Sequence, residues 1–197
     1  MKENFELRAI SRYQLQGGWL VAVGMLLVYG IIIVLSSFLL IGPLILGGPL
    51  TLGFTSYYLK KSRGETVKLE NLFDGFKQFG SSFLLWLLES VFLALWTCLL
   101  IVPGIVKLFS YSMAFYILRD NPEIGAIEAI TQSRKMMVGY KGKLFKLYLS
   151  FIGWGLLCCL SLGIGFLWLI PYISLSEANF YDDLKRNQPQ QISDSVS

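Results

Sequence analysis

The chain has 197 residues, 54% of them hydrophobic and 15% charged, against roughly 25% charged in soluble domains. Mean hydropathy is +0.58 and the apolar residues fall in long runs, which excludes a soluble globular domain and predicts an all-α membrane protein. The net charge of +4 is too small and too unevenly placed for a nucleic-acid partner. The absence of histidine removes the commonest general base and metal ligand.

In chain order, Leu7-Arg8-Ala9-Ile10 opens a short amphipathic segment, expected to lie in the membrane interface. Residues 19–41 are 23 positions without a charge, enough for a helix to cross roughly 30 Å of hydrocarbon. That length, with no small-x-small motif behind it, predicts a retained span rather than a cleaved leader. Gly42-Pro43 interrupts the run, and residues 44–59 continue it to Lys60-Lys61. The second amphipathic segment sets Leu69, Leu72, Phe73, Phe76 and Phe79 on one face at α-helical spacing. Residues 83–102 form the third run, broken at Pro103-Gly104, and residues 105–118 return to Arg119-Asp120. Asn121-Pro122-Glu123 predicts a helix start, with an N-cap, proline at the first position and an acid near the positive end of the dipole. Gly139 is the expected end of that helix. Residues 144–162 are the fifth run, turned by Gly163-Ile164-Gly165, and residues 166–180 are the sixth.

This pattern predicts six transmembrane helices as three helical hairpins, each preceded by a cytoplasmic interfacial amphipathic helix. Gly18, Gly80 and Gly139 precede the hairpins and Gly42, Gly104 and Gly163 mark their turns, 24 residues later in every case. The chain therefore reads as a parallel threefold internal repeat, with units at about residues 4–60, 66–120 and 121–184 in a single polytopic membrane domain spanning 1–184. Residues 185–197 are polar and without periodicity, expected to be a disordered tail. The second run of each pair has only about 14–16 residues, below the usual ~20. Those helices either extend past the apolar boundaries or leave the tips short of the outer surface. Four or five spans with one re-entrant hairpin is the alternative count.

Sixteen of the 17 Lys and Arg residues fall before, between and after the hairpins, counting Lys146 at the mouth of the fifth run, and the exception is Lys107. The positive-inside rule then predicts both termini cytoplasmic, in a bacterial cytoplasmic membrane.

Few residues suggest chemistry. Glu89, six positions inside the third run, is costly in hydrocarbon, so it serves either as an ion or proton site or as a structural hydrogen bond between helices. Lys107, just past the second turn, is expected to snorkel to the outer surface or cap carbonyls, with a grip on an anionic group as the other reading. It is expected to lie too far from Glu89 to pair with it. Lys141, Lys143 and Lys146 form a basic patch suited to anionic lipid, which the positive-inside rule would also place there. Glu177, Asp182 and Asp183, beside Lys185 and Arg186, are expected to be a solvated helix end. Cys98, Cys158 and Cys159 lie in apolar stretches and are expected to pack as small hydrophobes. No catalytic, metal or cofactor motif is present, so neither enzymatic activity nor a cofactor is expected.

Several strings carry a resemblance. Glu6-Leu7-Arg8 with Gly18-Trp19, Tyr111-Ser112-Met113, Asp120-Asn121-Pro122, Ser133-Arg134-Lys135-Met136-Met137, Lys141-Gly142-Lys143-Leu144-Phe145 and Asn179-Phe180-Tyr181-Asp182-Asp183-Leu184 resemble the DUF975 family of uncharacterised bacterial integral membrane proteins. The resemblance covers about residues 4–185 and implies a multi-pass membrane protein with no assigned substrate. Two functions fit: a non-catalytic module binding membrane lipids or a membrane-protein partner, and a small-molecule or ion transporter or channel.

Overall fold

The computed structural model describes residues 1–38, 42–99 and 101–187. The end of the first predicted span at 39–41 and the tail from 188 lie outside the described residues. Within them the protein is all-helical: α1 (Asn4–Leu15), α2 (Trp19–Ser37), α3 (Gly42–Ser62), a 3-10 helix (Leu69–Gln78), α4 (Phe79–Leu99), α5 (Ile101–Tyr111), α6 (Ala114–Asp120), α7 (Ala126–Met136), α8 (Lys141–Leu149), α9 (Ile152–Leu160) and α10 (Phe166–Asn187). Among the described residues three helical stretches, Trp19–Ser37, Leu69–Cys98 (the 3-10 helix running into α4) and Lys141–Leu160 (α8 and α9 taken together), are long and apolar enough to cross a membrane.

Helices occupy all six predicted runs among the described residues, with shifted ends. α3 and α10 run 21 and 22 residues, past the apolar boundaries, because their last turns carry the cations Lys60, Lys61, Lys185 and Arg186, which the negative helix end favours. Lys185 and Arg186 are thus helical rather than part of a disordered tail. The third amphipathic helix begins at Ala126, not beside Asn121. Instead Asn121 closes α6, its N–H donating to Ile117 O at 2.9 Å. Gly139 turns the chain after α7 with φ +80°, a conformation that favours glycine.

Two predicted spans are broken. α5 and α6 part at Ser112-Met113, where Ser133 of α7 repairs the ladder: its hydroxyl donates to Ser110 O at 2.8 Å and accepts from Met113 N–H at 3.2 Å. α8 and α9 part at Ser150-Phe151, where the Ser150 hydroxyl turns back to Leu147 O at 2.6 Å. The buried Phe151 ring meets Tyr172 edge-on at 5.0 Å.

The middle amphipathic segment also differs from its α-helical expectation. At three residues per turn, Leu69, Leu72 and Gly75 form one row, Asn71, Asp74 and Lys77 a second, and Phe73, Phe76 and Phe79 a third. Leu72 and Gly75 are buried, while Asp74 accepts from Asn71, Lys60 and Lys77 at 2.9, 2.9 and 2.7 Å. Gly75 lies on the backbone of Pro49 and Gly53, and Gly53 on Leu72 O, with no room for a Cβ at either glycine. Small residues let two backbones touch here, as at helix contacts within membranes.

The helices sort into inner and outer sets. α3, α6 and α10 carry most of the buried residues. α2, α4 and α9 present apolar side chains outward, with Leu20 89% and Leu160 81% exposed. The lower apolarity of the inner helices follows from their neighbours, which are protein rather than lipid. Each amphipathic segment packs on the second helix of another hairpin: the 3-10 helix on α3, α7 on α6 and α1 on α10. Each also touches the first helix of that same hairpin, the 3-10 helix on α2, α7 on α4 and α1 on α8. The contacts therefore run in a closed cycle.

Candidate functional site

Where α3, α6 and α10 end, four charged side chains form one network. Arg63, just past α3, donates Nη1 and Nη2 to the two carboxylate oxygens of Asp120 at 2.8 and 2.9 Å, a planar two-point contact that arginine is shaped to make. The same guanidinium donates to Asp182 Oδ1 at 2.8 Å. Lys185 Nζ donates to Asp120 Oδ2 at 2.6 Å, the Tyr181 hydroxyl donates to the same oxygen at 3.1 Å, and the Ser62 hydroxyl donates to Asp182 at 3.0 Å. Two cations thus balance two anions, and the Asp120 side chain is only 8% exposed.

The electrostatics follow from this geometry. Burial would raise the Asp120 carboxyl, but hydrogen bonds from Arg63 and Lys185 outweigh it and hold the group below the usual carboxylate range. The hydrogen bond to Asp120 in turn raises the Arg63 guanidinium. Beneath the network, Tyr116 and Tyr181 stack at 5.2 Å, and Arg119 donates to Ser56 at 2.5 Å. The ends of three helices are thereby fastened to one another.

This network corrects the expectation of a solvated end. Asp182 is tied to Arg63, and Asp183 is buried, accepting from the Lys2 backbone N–H at 2.7 Å. Glu177 is half-buried beside the Tyr148 hydroxyl. An available signal was the unusual presence of acids at the negative ends of two helices, where the dipole disfavours them unless cations are held nearby.

Glu89 lies on α4, which packs on α3, α5, α6 and α7. Its Oε1 is buried without a hydrogen-bond partner among the described residues. Lys107 does not pair with Glu89: its ammonium sits 4.5 Å from the Trp96 ring centroid. It lies on α5, which packs on α4, α7 and α8. Lys141, Lys143 and Lys146 have no carboxylate partner among the described residues, and the backbone carbonyl of Lys143 accepts from Asn4 at 3.2 Å. Cys158 is buried, whereas Cys98 and Cys159 are exposed.

One cavity of about 640 Å³ lies between the start of α2, α9 and α10. Trp19, Trp154, Trp168, Leu157 and Tyr172 wall it, and Arg12 and Gln16 stand at one end. Trp154, Leu157 and Trp168 are about half exposed on the apolar exterior, so the cavity is a slot open at the side of the helix bundle. A shallower apolar groove lies between α2 and α10, and a polar pocket of about 100 Å³ sits beside Ser62 and Asp182. Glu89 lines none of the three.

An all-helical chain with apolar outer helices and an ionic fastening at one end is the architecture of a membrane-embedded bundle. The sequence matches the family described as protein of unknown function (DUF975) over residues 1–110 and 98–188, and the chain belongs to that family. No curated protein and no solved structure matches it.

Proposed function

We propose that the protein is a non-catalytic module of a bacterial cytoplasmic membrane that binds lipids or a membrane-protein partner. In this reading six spans form three parallel units with both termini cytoplasmic. The closed cycle of contacts supports the repeat, since every amphipathic segment meets the same two kinds of helix. The carrying observation is the Arg63–Asp120–Asp182–Lys185 network. It fastens the ends of α3, α6 and α10 to one another by ion pairs, which opposes the separation of these helices that a permeation path between them would need, while the cavity of about 640 Å³ opens sideways.

A second reading, a small-molecule or ion transporter, draws on the breaks in α5–α6 and α8–α9 and on the buried Glu89 oxygen, features that accompany intramembrane binding sites. Mass spectrometry of lipids and proteins co-purified with the intact chain, run beside ion-flux measurements in vesicles, separates the two. A module retains specific lipid or partner and gives no flux. Flux abolished by Glu89→Gln in a folded protein would overturn the first reading in favour of the second.

A further inference from the structure

We propose that the sideways slot between α2, α9 and α10 binds an anionic phospholipid, one acyl chain among the tryptophans and the phosphate against Arg12 and Arg8. This assignment rests on the membrane reading above and names the ligand. Arg8 and Arg12 stand four residues apart on α1, hence on one helix face. The Arg8 guanidinium lies 5.0 Å from the Phe151 ring centroid, and that of Arg12 lies 5.8 Å from the Tyr172 centroid. The two rings meet edge-on at 5.0 Å, so both cations are held on one aromatic pair beside the slot.

Neither arginine has a carboxylate partner among the described residues, and Arg8 Nε is buried with no hydrogen-bond partner. Two like charges four residues apart repel, and a buried donor left unpaired is costly. A phosphate bridging them answers both. The walls suit the rest of a lipid: a volume of about 640 Å³ lined by Trp19, Trp154, Leu157, Trp168 and Leu169, with Arg12 also on its lining, is mostly apolar and open where half-exposed Trp154, Leu157 and Trp168 face outward. Tryptophan also favours the junction of headgroup and chain.

Five tryptophans are present, and three of them line the slot. In a Trp86→Phe/Trp96→Phe background every remaining tryptophan therefore reports on it. The experiment places this protein in phosphatidylcholine vesicles containing a minor fraction of brominated phosphatidylglycerol or, separately, of brominated phosphatidylcholine, and measures fluorescence quenching. Quenching at a lower fraction of the anionic lipid is expected, and Arg12→Gln, a change at an exposed side chain, should weaken that preference about fivefold. Equal quenching by the two lipids, or a preference untouched by Arg12→Gln and by Arg8→Gln in protein of unchanged circular dichroism, overturns the proposal. Failure of the membrane reading itself looks different: vesicles made wholly of brominated lipid would then leave the fluorescence unquenched.

Discussion

Arg63 is the residue on which most polar geometry converges, since its guanidinium serves carboxylates from two other helix ends. Removing it leaves Asp120 enclosed with fewer compensating charges, and breaking such a pair from one side is strongly destabilising. Arg63→Ala is expected to cost about 3 kcal/mol, read as a lower denaturation midpoint in detergent. Arg63→Lys should recover little of it, because an ammonium lacks the planar fork. The same site sets an acid limit. The Asp120 carboxyl is depressed in the folded state, so its contribution is complete above the unfolded value of about 3.9 and is lost as pH falls through the lower folded value. Melting temperature should therefore drop below about pH 4, with a shallower slope in Asp120→Asn. Beyond the misplaced acids at two helix ends, the partners were not legible in sequence, because Asp120 and Asp182 are far apart in the chain and a cluster of charges at a helix end ordinarily faces water.

At the level of elements, apolar run length located helical segments, and Lys and Arg marked the last turns of α3 and α10. Hydropathy, however, measures only what a side chain prefers, not which backbone donors a neighbour supplies. It read 105–118 and 144–162 as continuous, and the breaks at Ser112 and Ser150 depend on contacts with α7 and α10. The 3-10 winding of Leu69–Gln78 was hidden likewise, because its apolar residues recur at steps of three, which both windings accept locally, and the deciding contact is Gly75 on α3. Gly75→Ala should cost about 1–3 kcal/mol through overpacking. Gly142→Ala, where an added Cβ meets nothing within 4 Å, should be neutral or slightly stabilising inside α8. Comparing the two melting curves tests whether backbone contact, rather than flexibility, is the reason for the glycine.

For the whole molecule, the proposed topology rests on charge: with the cations other than Lys107 at or beyond the hairpin ends, an alkaline phosphatase fusion within residues 60–80 is expected to be inactive, and an active one would overturn the proposed orientation. The closed cycle has a further consequence for biosynthesis. The buried stripe of α1, Leu7, Ser11 and Leu15, is covered chiefly by α10, where Asn179 donates to the Ser11 hydroxyl at 3.0 Å. During synthesis that stripe stays uncovered until α10 has been made, because the contacts that bury it come from a helix more than 150 residues downstream. A chain truncated before α10 is therefore expected to expose Leu7 and Leu15 and to be cut faster by added protease than the intact chain.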